Sequence, residues 1–243
     1  SYAACHLYYG NPAAVDPPSL WSDSMGHALP AEIFLAGDDF ERNAAGEDPR
    51  GWTDQGTDDF VVREHDGDMW LSVTPPGDWQ NGTVATSMDD VDDASWSANL
   101  YYWQAGNNGW GGIAARVEGG GGGVMVLIQD REYYLATEYW TTPRIGWTEN
   151  TDIHFPHGSV GRLEIVTLGS TASAYWHNPA GFTPPRVTVI EDWELDAAAG
   201  KLAAFTERPT DTNQRWIDVD DVIVRRFVSP EPTVSLGCAE SRP

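Results

Sequence analysis

Between Trp103 and Trp147 the sequence sets flat aromatic rings beside amide, carboxylate and guanidinium groups: Trp103, Asn107, Asn108, Trp110, Tyr133, Tyr134, Glu138, Tyr139, Trp140, Arg144 and Trp147. That mixture suits sugar binding, in which apolar faces stack on pyranose rings and neighbouring polar groups take the hydroxyl hydrogens. Trp103, Trp110, Tyr134, Tyr139, Trp140 and Trp147 are therefore the candidate glycan contacts. Trp140 to Trp147 lies among Thr, Pro and Gly, a loop composition in which an exposed tryptophan needs a reason. Trp96, Trp193 and Trp216 instead fall in alternating segments and read as core.

Other constellations carry weaker chemistry. Proton abstraction by a Tyr or His base, as a polysaccharide lyase would use, has Tyr134, Tyr139, His154 and His157 as candidates. In His154-Phe155-Pro156-His157 the proline opposes the helix that would align two imidazoles on a metal, so these read as loop histidines. Gly119 to Gly123 lacks a following Lys-Ser/Thr pair and precedes the apolar run Val124 to Ile128, which makes it a hairpin connection and not a phosphate loop. Cys5 and Cys238 are the only cysteines. A bond between them would close nearly the whole chain into one loop, worth about 5 kcal/mol in the chain-entropy model; the alternatives are two separate thiols or bonds to segments outside this chain. Asn81-Gly82-Thr83 is a glycosylation sequon, with Asn81 the acceptor, in keeping with an extracellular chain.

The elements that must position these residues are strands. Short alternating segments recur at Phe60 to His65, Met69 to Val73, Ser95 to Trp103, Gly112 to Val117, Val124 to Gln129, Glu132 to Thr137, Arg162 to Leu168, Ala172 to Trp176, Arg186 to Trp193 and Arg215 to Phe227. Gly, Pro, Asn and Asp clusters separate them, so the period is two. Leu195 to Ala204 alone reads as a short helix, with a turn between strands as its alternative because of Gly200. Many strands without helical crossovers predict an all-β fold, an antiparallel β-sandwich or barrel. Alternation also places Asp218 and Asp220 on one face with Val222 and Val224, which would turn a carboxylate inward. Such a group must be paired, with Arg225 or Arg226 for instance, or protonated or metal-bound.

Composition narrows the partners. The 243 residues carry 37 Asp and Glu against 14 Lys and Arg, a formal charge of -23, and Lys201 is the only lysine. Nucleic acid and anionic membranes are excluded as favourable partners of such a surface. Adaptation to high salt explains the charge as well as local cation binding does. A content of 41% hydrophobic and 12% aromatic residues, including twelve tryptophans, supplies one large core and rules out a disordered acidic tail. No apolar run is long enough to insert in a membrane. The opening Ser-Tyr-Ala-Ala-Cys lacks the features of a signal peptide, so the expectation is a removed signal or a piece of a longer protein.

Two segments carry a family resemblance. Leu7-Tyr8-Tyr9-Gly10-Asn11-Pro12, followed by Gly37-Asp38-Asp39-Phe40-Glu41, resembles the tail of a prokaryotic domain of unknown function that precedes a concanavalin A-like (laminin-G-like) sandwich. Ile217 to Arg226, followed by Pro230-Glu231-Pro232-Thr233-Val234, resembles the closing strand and exit of such a sandwich. The resemblance implies a jelly roll of the lectin/glucanase type at residues 37–229, preceded by an upstream tail and a linker or strap at residues 1–36 and followed by a C-terminal tail at 230–243. It also implies a structural calcium between first and last strands, with Asp38, Glu41 and Asp220 as the residues that could hold it. Laminarinase-type glycosidases on this fold carry Glu-x-Asp-x-x-Glu; Glu194-Leu195-Asp196 begins like that motif, but Ala199 stands where the second glutamate belongs, so the two-carboxylate mechanism lacks a member. The expectation is a non-catalytic extracellular or cell-surface module that binds a polysaccharide or glycoprotein glycan. A carbohydrate-active enzyme on the same fold is the second reading. The third is a subunit of a surface layer or filament, joined to neighbouring copies by strand addition.

Overall fold

The computed structural model describes residues 34–54, 60–73, 80–86, 90–103, 110–117, 123–129, 132–136, 144–195, 198–208 and 217–227. Cys5, Cys238, Tyr139, Trp140, Trp216 and the tail resemblances at both ends lie outside them. The described strands are β1 (Phe34–Asp38), β2 (Trp52–Asp54), β3 (Phe60–His65), β4 (Asp68–Val73), β5 (Gln80–Thr86), β6 (Ala94–Tyr102), β7 (Trp110–Val117) and β8 (Val124–Gln129). They continue as β9 (Glu132–Ala136), β10 (Arg144–Glu149), β11 (Ser159–Leu168), β12 (Thr171–His177), β13 (Arg186–Glu194), β14 (Lys201–Arg208) and β15 (Ile217–Arg226). Among the described residues there is no helix, and none therefore long and apolar enough to cross a membrane.

Two antiparallel sheets result. The eight-stranded sheet runs β13-β12-β11-β6-β15-β4-β3, with β1 also paired to β15, and the seven-stranded sheet runs β10-β9-β8-β7-β14-β5-β2. First and last described strands thus meet directly, Asp38 opposite Val222 and Ala36 opposite Val224. Period two decides the packing. In β6, Ala94, Trp96, Ala98, Leu100 and Tyr102 enter the core, where they meet Ile113, Val124, Val126, Ile128, Leu202 and Ala204 of the other sheet. Trp96 is fully buried, as expected, and Trp193 packs partly buried against the same core.

Local chemistry sets the turns. Asp66 (φ 53°) and Gly67 (φ 91°) form a two-residue loop between paired His65 and Asp68, the Asp-Gly arrangement that suits the twist of a hairpin. β7 and β8 pair antiparallel on either side of the glycine run at 119–123, of which Gly119 to Gly122 lie outside the described residues. Gly161 in β11 has another reason: the Trp176 ring lies 2.1 Å from where a Cβ would stand.

Three expectations need correction. At Leu195 to Ala204 the helix gives way to its alternative, a connection between strands: β13 ends at Glu194, Gly200 bridges Val91, and Lys201 to Ala204 already belong to β14, paired with β5 and β7. Trp147, read as a loop residue, lies in β10 opposite Tyr134 of β9. Strand alternation in β15 also breaks. Asp220 pairs with Asn99 and Ile223 with Ser97, so β15 carries one extra residue at a bulge where Asp221 has φ 47°. Consequently Val222 and Val224 enter the core, while Asp218 and Asp220 share the opposite, outer face.

Candidate functional site

The same alternation that buries Trp96 and Leu100 sends Ser95, Ser97, Asn99 and Tyr101 to the outer face of the eight-stranded sheet. Register aligns their neighbours. Arg186, His177, Arg162, Asn99 and Asp220 form one row across β13, β12, β11, β6 and β15. Thr188, Tyr175, Glu164, Ser97 and Ile223 form the next. On the other side of the first row, Tyr101 stands opposite Asp218.

An aromatic cluster occupies that end of the face. The His65 ring lies 4.2 Å from Tyr101 and 4.1 Å from Trp103, Tyr101 and Trp103 meet edge to face at 5.2 Å, and Trp70 is 5.5 Å from Tyr101. His65, Tyr101 and Trp103 are half-buried. Trp103 Nε1 donates to Asp218 Oδ2. Asp218 itself is wholly buried, and its Oδ1, like Trp70 Nε1, has no hydrogen-bond partner among the described residues. Burial raises the Asp218 carboxyl to about 6 against the hydrogen bonds of Ser72 and Trp103.

Charged groups fill the middle. Glu164 Oε1 accepts from Ser95 Oγ at 2.6 Å and from Arg225 at 3.3 Å, and Oε2 faces His177 Nε2 at 3.1 Å and Arg186 at 3.8 Å. Burial alone would raise this carboxyl, yet hydrogen bonds from His177 and Ser95 and the charges of His177 and Arg225 bring it down to about 2. Arg162 donates to Asn99 Oδ1 at 3.0 Å and Ser97 Oγ at 2.6 Å, and Asn99 donates in turn to Asp221 at 2.7 Å. The Arg186 guanidinium lies 3.5 Å from the centre of the Tyr175 ring.

An acidic corner adjoins β1 and β15. Asp38 accepts from Phe40 N–H (2.9 Å), Arg42 (2.6 Å) and Trp52 Nε1 (2.8 Å). Glu41 accepts from Met69 N–H at 2.8 Å, and its carboxyl is raised, by burial first and by a hydrogen bond shared with Asp68. Asp220 is buried, and its Oδ1 has no partner among the described residues. Its carboxyl is pushed up to about 9, by burial first and then by the charges of Asp221, Asp68 and Asp39. Asp39 is raised to about 6, also chiefly by burial. The three residues expected around a calcium are thus differently employed: Asp38 is taken by Arg42 and Trp52, Glu41 by Met69, and Asp220 is held against like charge. Among the described residues no group of three or more His, Cys, Asp or Glu is arranged to hold a metal ion.

The sequence-adjacent aromatic candidates separate. Trp103 stands on the eight-stranded sheet, whereas Trp110, Tyr134 and Trp147 belong to β7, β9 and β10 of the seven-stranded sheet. Asn81 lies within β5, paired with Glu207 of β14. His154 stacks on Phe182 at 4.8 Å in the connection before β11, and His157 is exposed there. His65, Trp70, Tyr101, Arg162, Glu164 and Arg186 were not singled out by type or spacing. The signal that reaches Tyr101, Arg162 and Glu164 is the polar half of each alternating strand, the face opposite the core.

No family model and no curated protein matches the sequence. Among solved structures, the carbohydrate-binding module CBM66 from Bacillus subtilis superposes with a TM-score of 0.51 at 10% identity, over 72% of this chain and 95% of that one. A Bacillus subtilis protein of unknown function with a galectin-like fold gives 0.50 at 9% identity, over 72% and 89% of the two chains. The exoplasmic/lumenal domain of VIP36, in its Ca2+/Man3GlcNAc-bound form, gives 0.50 at 7% identity, over 76% and 87%. What is shared at these identities is architecture: the chain folds as an all-β, lectin-like antiparallel sandwich of the concanavalin A-like class.

Proposed function

We propose that this chain is a non-catalytic recognition module of an extracellular or cell-surface protein, and that it binds a polysaccharide or glycoprotein glycan on the outer face of its eight-stranded sheet. The observation that carries this reading is the make-up of that outer face. On the eight-stranded sheet the outer face presents half-buried Tyr101, Trp103 and His65 beside rows of hydroxyl, amide, guanidinium and carboxyl groups. The second apolar cluster, Ala114, Met125, Leu127, Ala203 and Phe205, belongs to the seven-stranded sheet and is buried. Sugars need both a flat apolar surface and hydrogen-bonding groups within reach of it, and the outer face of the eight-stranded sheet combines them.

The fold supports the same reading, since CBM66 is by name a carbohydrate-binding module and the VIP36 domain is a glycan-bound form. Glu164, with both oxygens engaged by Ser95, Arg225 and His177, is an anchor of the polar lattice and not a nucleophile held ready for attack. Asp38, engaged by Arg42 and Trp52, and Glu41, engaged by Met69, do not form a calcium cage with Asp220. Trp103 becomes the principal ring for stacking; Trp110, Tyr134 and Trp147 receive no part in this face.

A panel of immobilised polysaccharides tests the reading. Saturable binding with no new reducing ends or unsaturated products is the expected outcome. Failure to bind any member contradicts glycan recognition, and product formation contradicts the non-catalytic assignment.

A further inference from the structure

Resting on the glycan reading above, we propose that Arg162, Arg186 and Arg225 form a subsite for a carboxylate-bearing sugar, so that the polymer recognised is a polyuronate. Cations are scarce in this chain, 14 against 37 acidic residues, and all but Lys201 are arginine. Three of them nevertheless stand on alternate strands, β13, β11 and β15, of one outer face, around the carboxylate of Glu164. One guanidinium would suffice to neutralise that glutamate. Asp221, which Asn99 links to Arg162, and Asp220 also act on the Arg162 guanidinium. A cluster of arginines thus stands on one outer face of a molecule whose formal charge is -23.

The geometry favours a planar anion. Arg162 is held by the neutral Asn99 and Ser97, so its direct partners orient it without cancelling its charge. Arg186 is stacked on Tyr175 and half-exposed. Stacking uses the flat face of a guanidinium and leaves its in-plane N–H groups for a planar acceptor, the bidentate match that distinguishes arginine from lysine. The row from Arg186 through His177, Arg162 and Asn99 to Asp220 crosses five strands, about 19 Å at the usual strand spacing, room for several linked sugar rings. Asp220 at its far end adds little repulsion at neutral pH, because burial holds its proton up to about 9. Tyr101 and Trp103 adjoin the row, so one polymer can stack a ring there while offering a carboxylate to the arginines.

Calorimetric titration of the full chain distinguishes this from plain glycan binding. The ligands are a polyuronate, the same polymer with its carboxyls reduced to alcohols, a sulfated polysaccharide and a neutral glucan, and the variants are Arg186→Gln and Trp103→Ala. The polyuronate is expected to bind about ten-fold or more tightly than its reduced form, with R186Q removing that preference and weakening as salt rises. Equal binding of the native and reduced polymers, with W103A still abolishing both, overturns the arginine subsite and leaves the glycan reading standing. Tightest binding to the sulfated polymer overturns the carboxylate assignment. No binding to any of the four removes both. The reduced polymer tests the proposal from the ligand side even should R186Q fail to fold.

Discussion

Asp218 and Asp220 face outward from the sheet yet are buried, each with one oxygen lacking a partner among the described residues. Their folded-state carboxyls stand at about 6 and about 9, and that of Asp39 at about 6, all above the ordinary value of 3.8. A raised carboxyl contributes stability that is present below its unfolded value and is lost as pH climbs through the folded one. Glu164, lowered to about 2, works the other way and contributes stability that is lost as pH falls below 4.5. Melting temperature should therefore peak at about pH 4 to 5 and decline toward pH 9. Asp220→Asn, which cannot ionise, should flatten the alkaline part of that decline while leaving the melting temperature at pH 4 nearly unchanged; an identical profile for the variant contradicts the assignment. Trp96 and Trp176 were legible as apolar strand positions, but the state of Asp220 was not, because burial dominates it and Asp68, Asp39 and Asn99, distant in sequence, join its neighbour Asp221 around it.

Two strands were legible to their ends, one by polarity pattern and one as an apolar run that follows glycines: the expected Phe60 to His65 and Val124 to Gln129 coincide with β3 and β8. Others were not. β2 has only three residues, β5 carries Asn81-Gly82, and β10 emerges from a stretch rich in Thr, Pro and Gly, so pairing with neighbours overrode weak local preference. The bulge in β15 escaped because an extra residue leaves no local mark when Asp220 and Asp221 are adjacent and alike. It is nonetheless the feature that assembles the polar face, by letting Asp218 and Asp220 look outward while Val222 and Val224 fill the core. Packing makes an independent prediction in β11. Gly161→Ala would drive a methyl into the Trp176 ring and should destabilise the fold by about 1–3 kcal/mol in denaturant titration. An unchanged midpoint would show that the indole is not seated over this strand.

For the molecule as a whole, period two without helical crossovers was enough to read a sandwich, whereas the placement of its site was not. The cluster from Trp103 to Trp147 looks continuous in sequence, but the chain leaves the eight-stranded sheet after β6 and enters the seven-stranded sheet at β7, so Trp103 and Trp110 belong to different layers. The charge of -23 divides likewise. Diffuse acidity suits a solvated surface in high salt, while the few arginines of the eight-stranded sheet gather where a ligand would lie. The most direct measurement is polysaccharide affinity for the unaltered chain, Trp103→Ala and Trp147→Ala, each confirmed as folded by its melting curve. Recognition on the eight-stranded sheet predicts that W103A weakens binding by about ten-fold or more and that W147A binds as the unaltered chain does. Binding retained by W103A and lost in W147A would contradict it.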